Sequence, residues 1–171
     1  MIRIAVTGPE STGKSTLTKS LASFYKCPFV PEYAREYLQN LHRPYVYEDV
    51  EMIALHQMKI EDEIIKTNAD LLVSDTELIV IKIWMQHRFD HLPEWLENQI
   101  QERKYDLYLL CKTDIEWTYD PLREHPQLRD YFYQKYRSEL DQYGFNYIEV
   151  EGNYEDRFQM ASHHVNLFLR E

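Results

Sequence analysis

Gly8-Pro9-Glu10-Ser11-Thr12-Gly13-Lys14-Ser15 sets two glycines, a lysine and a hydroxyl at the spacing a bound triphosphate needs. Gly8 and Gly13 let the backbone turn tightly and aim its N–H groups at phosphate oxygens. Lys14 reaches between the β- and γ-phosphates, and the Ser15 hydroxyl is placed to ligate Mg²⁺. Glu10, Ser11, Thr12 and Thr16 complete the nucleotide-contacting set, so ATP with Mg²⁺ is the expected cofactor pair.

Acids and arginines further along suit the other half of a phosphoryl transfer. Glu32 and Arg35 lie about one helical turn apart, which makes Glu32 a candidate proton acceptor and Arg35 a candidate to hold a substrate or phosphate oxygen. Their plain alternative is a solvated ion pair. Asp75 closes an apolar run, Asp70-Leu71-Leu72-Val73-Ser74-Asp75, and is expected near Mg²⁺ as a direct ligand, a ligand through water, or the base itself. Glu77 shares that ambiguity, and both acids also suit an ordinary helix start. Gln57 interrupts an apolar helical stripe and either makes buried hydrogen bonds or lines a pocket. Arg123, with Arg129 as a second candidate, belongs to a polar stretch over 113–129, broken by Pro121 and Pro126, that reads as a lid closing arginines over the phosphates.

The elements needed to hold these groups alternate. Ile2 to Thr7 is strand-like, and Ser15 to Lys26 carries Leu17, Leu21 and Phe24 at helical spacing. Cys27 to Pro31 reads as a second strand and Glu32 to Leu38 as a helix start. Val46, Val50, Ile53, Ile60 and Ile64 mark one face of a helix, with Gln57 on it. After the strand at 70–75, Leu78 to His87 reads as a buried crossover helix with Trp84 as core. Asp106 to Cys111 and Asn146 to Val150 are further strands. Helices over 128–143, stopped by Gly144, and from Tyr154 to Phe168 follow them. In a sheet of this kind the exit loop after the fifth strand can border a nucleotide base, which brings in Asn153, Tyr154 and Arg157. The expected fold is a three-layer α/β phosphate-loop NTPase/kinase fold with a five-stranded parallel sheet, in one domain over 1–171.

Composition excludes several classes. Nineteen basic against twenty-nine acidic residues give a net charge of −10 with no basic block, which argues against nucleic acid as a partner. Cys27 and Cys111 stand far apart, and the His87/His91 pair has no third ligand in view, so neither a disulfide framework nor a zinc site is indicated. No signal peptide or membrane-length apolar run is evident, and a soluble, cytoplasmic protein without a membrane partner is expected.

Taken together, the phosphate loop, Glu32-Tyr33-Ala34-Arg35-Glu36, His56-Gln57, Asp75-Thr76-Glu77, Glu116-Trp117 with Asp120 and Leu122-Arg123, and Tyr147-Ile148-Glu149 resemble the kinase domain of the bifunctional NAD-biosynthesis regulators, the ribosylnicotinamide kinase type. The resemblance implies phosphorylation of the ribose 5′-hydroxyl of nicotinamide riboside by ATP, with a small nucleoside as the partner. It implies Lys14, Glu32, Asp75 and Arg123 in catalysis, Ser15 and Asp75 at the metal, and Arg157 with the phosphate loop on the nucleotide. It puts Glu32, Tyr33, Arg35, Gln57, Asp75 and Trp117 at the substrate. The longer relatives carry an adenylyltransferase domain and often a DNA-binding segment before the kinase. This sequence reaches its phosphate loop after seven residues, so those activities are not expected to carry over. An aromatic residue is expected just before Glu32, where this sequence has Pro31; Tyr33, Tyr37, Trp84 and Trp117 are the candidates to replace it. A kinase for another nucleoside, and an ATP-dependent switch without metabolite phosphorylation, are the rival readings.

Overall fold

The computed structural model describes residues 1–169. Five strands form one parallel sheet in the order β2-β3-β1-β4-β5, with β1 Ile2–Thr7, β2 Phe29–Val30, β3 Leu71–Asp75, β4 Leu107–Cys111 and β5 Tyr147–Val150. The helices are α1 Lys14–Tyr25, α2 Tyr33–Gln39, α3 Tyr47–Ile65, α4 Leu78–Phe89, α5 Glu94–Glu102, α6 Arg129–Tyr143 and α7 Tyr154–Phe168.

The central strand explains the layering. β1 pairs with β3 and β4 at once, setting Ile4 beside Val73 and Leu107, and Val6 beside Asp75 and Leu109. Successive strand residues point to opposite faces, and both faces of β1 are apolar. Ile4 and Val6 pack with Leu17, Leu21, Ala161 and Val165 under α1 and α7. Ala5 faces the other way, into a core built from α3, α4, α5 and α6 around Ile53, Ile79 and Leu140. The chain leaves β1 toward the β3 side and returns to β4 on the other, which opens a crevice at the carboxyl ends of β1 and β3.

Two sequence expectations change here. The buried face of α3 is Asp49, Val50, Ile53, Ala54, Gln57, Met58 and Glu61, whereas Val46 is exposed and Ile60 and Ile64 lie at its edge. The stripe is rotated because Ala54 and three polar residues complete it in place of isoleucines. The helix α5 was not legible as an element. It buries only Leu96 and Ile100, though Pro93 at its start and Glu94 and Glu97 in its first turn are ordinary helix-opening residues.

Candidate active site

The loop between β1 and α1 is held by what surrounds it. Gly8 has φ +128°, and a Cβ there would lie 2.8 Å from the Cys111 carbonyl oxygen, so the loop crosses the end of β4 too closely for any side chain. Gly13, at φ +80°, opens α1. The Lys14 ammonium donates to the Pro9 carbonyl at 2.6 Å, and the Thr12 hydroxyl donates to the same oxygen at 2.7 Å. Beneath the loop, Arg157 is 1% exposed. Its guanidinium donates to the Thr12 carbonyl at 3.1 Å, to Gly152 at 2.8 Å and to Lys112 at 3.2 Å, and it pairs with Asp114.

The acids at the end of β3 diverge. Thr76 sits at φ +71°, a costly conformation for a β-branched residue, with its N–H donating to the Val6 carbonyl at 3.0 Å. Asp75, on one side of this turn, lies beneath the cleft floor beside Ser15 and Lys14. Burial, and then the nearby Glu32 charge, push its carboxyl up to about 6, against the Ser15 hydroxyl and the Lys14 ammonium. Its Oδ1 is buried without a hydrogen-bond partner among the described residues. A hydroxyl and a buried carboxylate oxygen with a free lone pair suit a hard divalent cation, so the pair fits Mg²⁺. Glu77, on the other side, turns into the core and accepts from the Ile79 amide at 2.6 Å and from the Thr7 hydroxyl at 2.9 Å. Burial raises it to about 7 although both donors pull it down. It is the cap of α4, so the helix-start alternative holds for Glu77 and falls on that residue alone.

Residues 113–128 contain no helix or strand and bind directly onto the phosphate loop. Glu10 accepts from the backbone amides of His125 at 2.6 Å and Glu124 at 3.2 Å. The Ser11 hydroxyl accepts from the Thr118 amide at 3.0 Å and from the Arg123 guanidinium at 3.3 Å. Arg129 donates to the carbonyls of Ser11 at 2.9 Å and Ile115 at 3.0 Å. Arg35, from α2, pairs with Asp120 at 2.9 Å.

A cleft of about 470 Å³ runs along this arrangement. Gly8 through Thr16 line it, including Glu10, Ser11, Thr12, Gly13, Lys14 and Ser15, together with Glu32, Arg35 and Arg123. The remaining wall contains Tyr45, Trp84, His87, His125, Phe132 and Tyr136. The Trp84 indole N–H donates to the Tyr45 hydroxyl at 3.1 Å, which donates to Glu124 at 2.8 Å. Trp84 is therefore part of the cleft wall and not of the sealed core. The signal was present, since Val80, Ile83, Trp84 and His87 repeat at i, i+3, i+4, i+7 and all line the cleft. Tyr45, His125 and Phe132 had no comparable signal; loop residues and the far helix reach the cleft only through tertiary packing. His87 packs on His125 and Phe132, whereas His91 packs on Tyr47 beyond the end of α4, so the two do not converge.

Besides Asp75, beneath the floor, the candidates Arg157, Gln57, Tyr33 and Trp117 lie off this lining. Arg157 is a buried brace under the loop, its donors spent on carbonyls and Asp114, and it does not face a nucleotide base. Gln57 is buried behind α2, where it accepts from the Tyr33 amide at 3.0 Å. The Tyr33 ring stacks on His56 at 4.8 Å. Trp117 is half-buried under the Arg123 guanidinium, 5.8 Å from its centroid.

The AAA domain family model matches residues 3–157. The trifunctional NAD biosynthesis/regulator protein NadR of Salmonella typhimurium strain LT2 is 27% identical over 124 residues, which are 70% of this chain. The match spans only 30% of that relative's length. Among solved structures, NadR in complex with NAD and AMP-PNP superposes with a TM-score of 0.78 at 23% identity, over 94% of this chain and 47% of that one. A NadR complex with NR gives 0.74 with the same identity and coverage. Deoxyadenosine kinase from M. mycoides, with the products dCMP and dCDP, gives 0.70 at 14% identity over 96% of this chain and 99% of its own. The fold is that of the phosphate-loop kinases. Among the described residues, no helix is long and apolar enough to cross a membrane.

Proposed function

We propose that this chain, which belongs to the AAA domain family, is an ATP-dependent kinase that phosphorylates the ribose 5′-hydroxyl of nicotinamide riboside. One observation carries the reading: the phosphate loop, Glu32 and Arg35 share a single cleft of about 470 Å³ with a wall of aromatic rings, a volume suited to two small ligands meeting end to end. The similarity to NadR, whose solved complexes contain AMP-PNP in one case and NR in another, supports ATP as donor and the riboside as acceptor.

In this reading Lys14 and the loop amides hold the triphosphate. Glu32 receives the hydroxyl proton, because it opens onto the cleft while Asp75 lies beneath the floor beside Ser15. Ser15 and Asp75 would hold Mg²⁺, which when bound neutralises charge on the phosphate oxygens. Arg123 and Arg35 stabilise the transferring group, and residues 113–129 act as a lid that excludes water. The ring of a pyridinium riboside is taken by Trp84 and Tyr45, which compensates for Pro31. We place all of residues 1–171 in one kinase domain.

The test is ADP release with Mg²⁺ and ATP, with and without nicotinamide riboside, and the product identified by mass. Riboside-dependent release yielding the monophosphate is expected. Release driven instead by a deoxynucleoside would favour the second reading, a kinase for another nucleoside, which the likeness to deoxyadenosine kinase over nearly its whole length supports.

A further inference from the structure

Helix α2 begins in an unusual way. Glu32 occupies its cap position, where a carboxylate ordinarily turns back onto the first free amides, yet the Glu32 side chain makes no capping bond. The amide of Tyr33, the first helical residue, donates instead to Gln57 Oε1 at 3.0 Å, across from the middle of α3. Gln57 is 6% exposed and Tyr33 half-buried, so this bond is partly screened from water. The orientation of its carboxamide is set by its oxygen: Oε1 is committed to the Tyr33 amide, while Nε2 is buried without a hydrogen-bond partner among the described residues. Gln57 also lines a small cavity together with Glu61 and Glu77. An amide oxygen directed at an N–H is the consistent assignment.

We propose that Gln57 is a positioning residue: by holding the first amide of α2 from outside the helix, it fixes the turn that presents the Glu32 carboxylate to the cleft. This rests on the kinase reading above, and deepens it by naming what keeps the acceptor base turned outward. Without Gln57 the Tyr33 amide, the first free donor of α2, loses its partner, and the first turn of the helix loses a side chain that holds it against α3. Glu32, the residue before that amide, would then lose its fixed position at the cleft. Asp75 would feel the change as well, since the Glu32 charge is the second cause of its raised carboxyl. The same bond aligns the first turn of α2, and with it Arg35 and its pairing to Asp120.

The test combines exchange and kinetics on the full chain. In Gln57→Met the Tyr33 amide should exchange at least about tenfold faster, while the amides of β3 and the α3 interior keep their protection. Turnover with the riboside should fall roughly 10- to 100-fold, with KM for ATP within about twofold. Gln57→Glu keeps an oxygen acceptor and should restore the Tyr33 protection. The decisive arm is a double-mutant cycle: if Gln57 works through Glu32, Gln57→Met should cost almost nothing further in a Glu32→Ala background, whereas a merely structural role predicts the full loss again. Unchanged Tyr33 exchange in Gln57→Met, or additive losses in the cycle, would overturn the proposal. If the wild-type chain phosphorylates no nucleoside, the kinase reading falls, and the exchange result alone decides whether Gln57 caps α2.

Discussion

At the phosphate end of the cleft most polar contacts join one element's backbone to another element's side chain, as with Glu10 on the amides of Glu124 and His125, or Arg157 on the Thr12 carbonyl. At the opposite end the wall is made of rings that touch one another, Tyr45 on Trp84 and His87 on His125 and Phe132. The difference separates two tasks. A triphosphate is the same whatever the acceptor, so its site is held by backbone geometry that no single side chain defines. In the proposed kinase, discrimination among acceptors would rest on side chains that a substitution can change without disturbing the loop.

The largest effect expected from breaking this contrast is at Lys14. Lys14→Ala should lower kinase turnover by on the order of 10²–10³-fold, measured as ADP release at saturating riboside. Arg157→Ala tests whether the phosphate end depends on its brace. It should destabilise the fold by on the order of 3 kcal/mol, seen in thermal melts, because it leaves buried carbonyls unpaired. Retention of the wild-type melting temperature would show that the loop is stiff by itself.

The turn at Thr76 should show up in pH dependence. Asp75 and Glu77, at about 6 and about 7, ionise at higher pH when folded than when unfolded. The folded chain therefore holds more protons between roughly pH 4 and pH 7. The corresponding stability is fully present below that window and is lost as pH rises through 6 and then 7, by roughly 2–3 kcal/mol per group. Urea titrations without divalent cation should show this slope, and Glu77→Gln should flatten its upper part. Asp49, held well below the usual carboxylate range by hydrogen bonds from Arg43, acts in the opposite sense at lower pH and does not cancel it.

Smaller effects sharpen the division. Trp84→Ala should raise KM for the acceptor by about tenfold with little change for ATP. An equal rise in both would mean that the two ends are not separable. Glu10→Gln weakens only the hold on two amides, so ATP affinity should fall by no more than a few-fold and exchange at Glu124 and His125 should quicken.

The sheet and the phosphate loop were legible because the strands are short apolar runs and the loop's glycines, lysine and hydroxyl stand at a fixed spacing in sequence. Trp84 was placed in the core because a tryptophan in an apolar helix reads as packing, although its spacing with Val80, Ile83 and His87 marked a cleft-facing stripe. Arg157, expected beside a nucleotide base, and Gln57, for which buried hydrogen bonds and a pocket were both open, share one ambiguity. Each is a polar residue on a buried helical face, and whether such a residue meets a ligand or a backbone group depends on what lies opposite it. For Arg157 that is the Thr12 carbonyl, 145 positions away, and for Gln57 the Tyr33 amide, 24 positions away.

The brevity of β2 bears on how copies of this chain behave in a crowded solution. A sheet margin with a row of free amides and carbonyls invites a strand from another molecule, and the products of such additions are aggregates. Here that margin is two residues long, and Pro28 and Pro31, which have no amide hydrogen, bracket it. An incoming strand would find too few partners to register against. Lengthening β2 by replacing Pro31 would thus endanger solubility before it touched the chemistry.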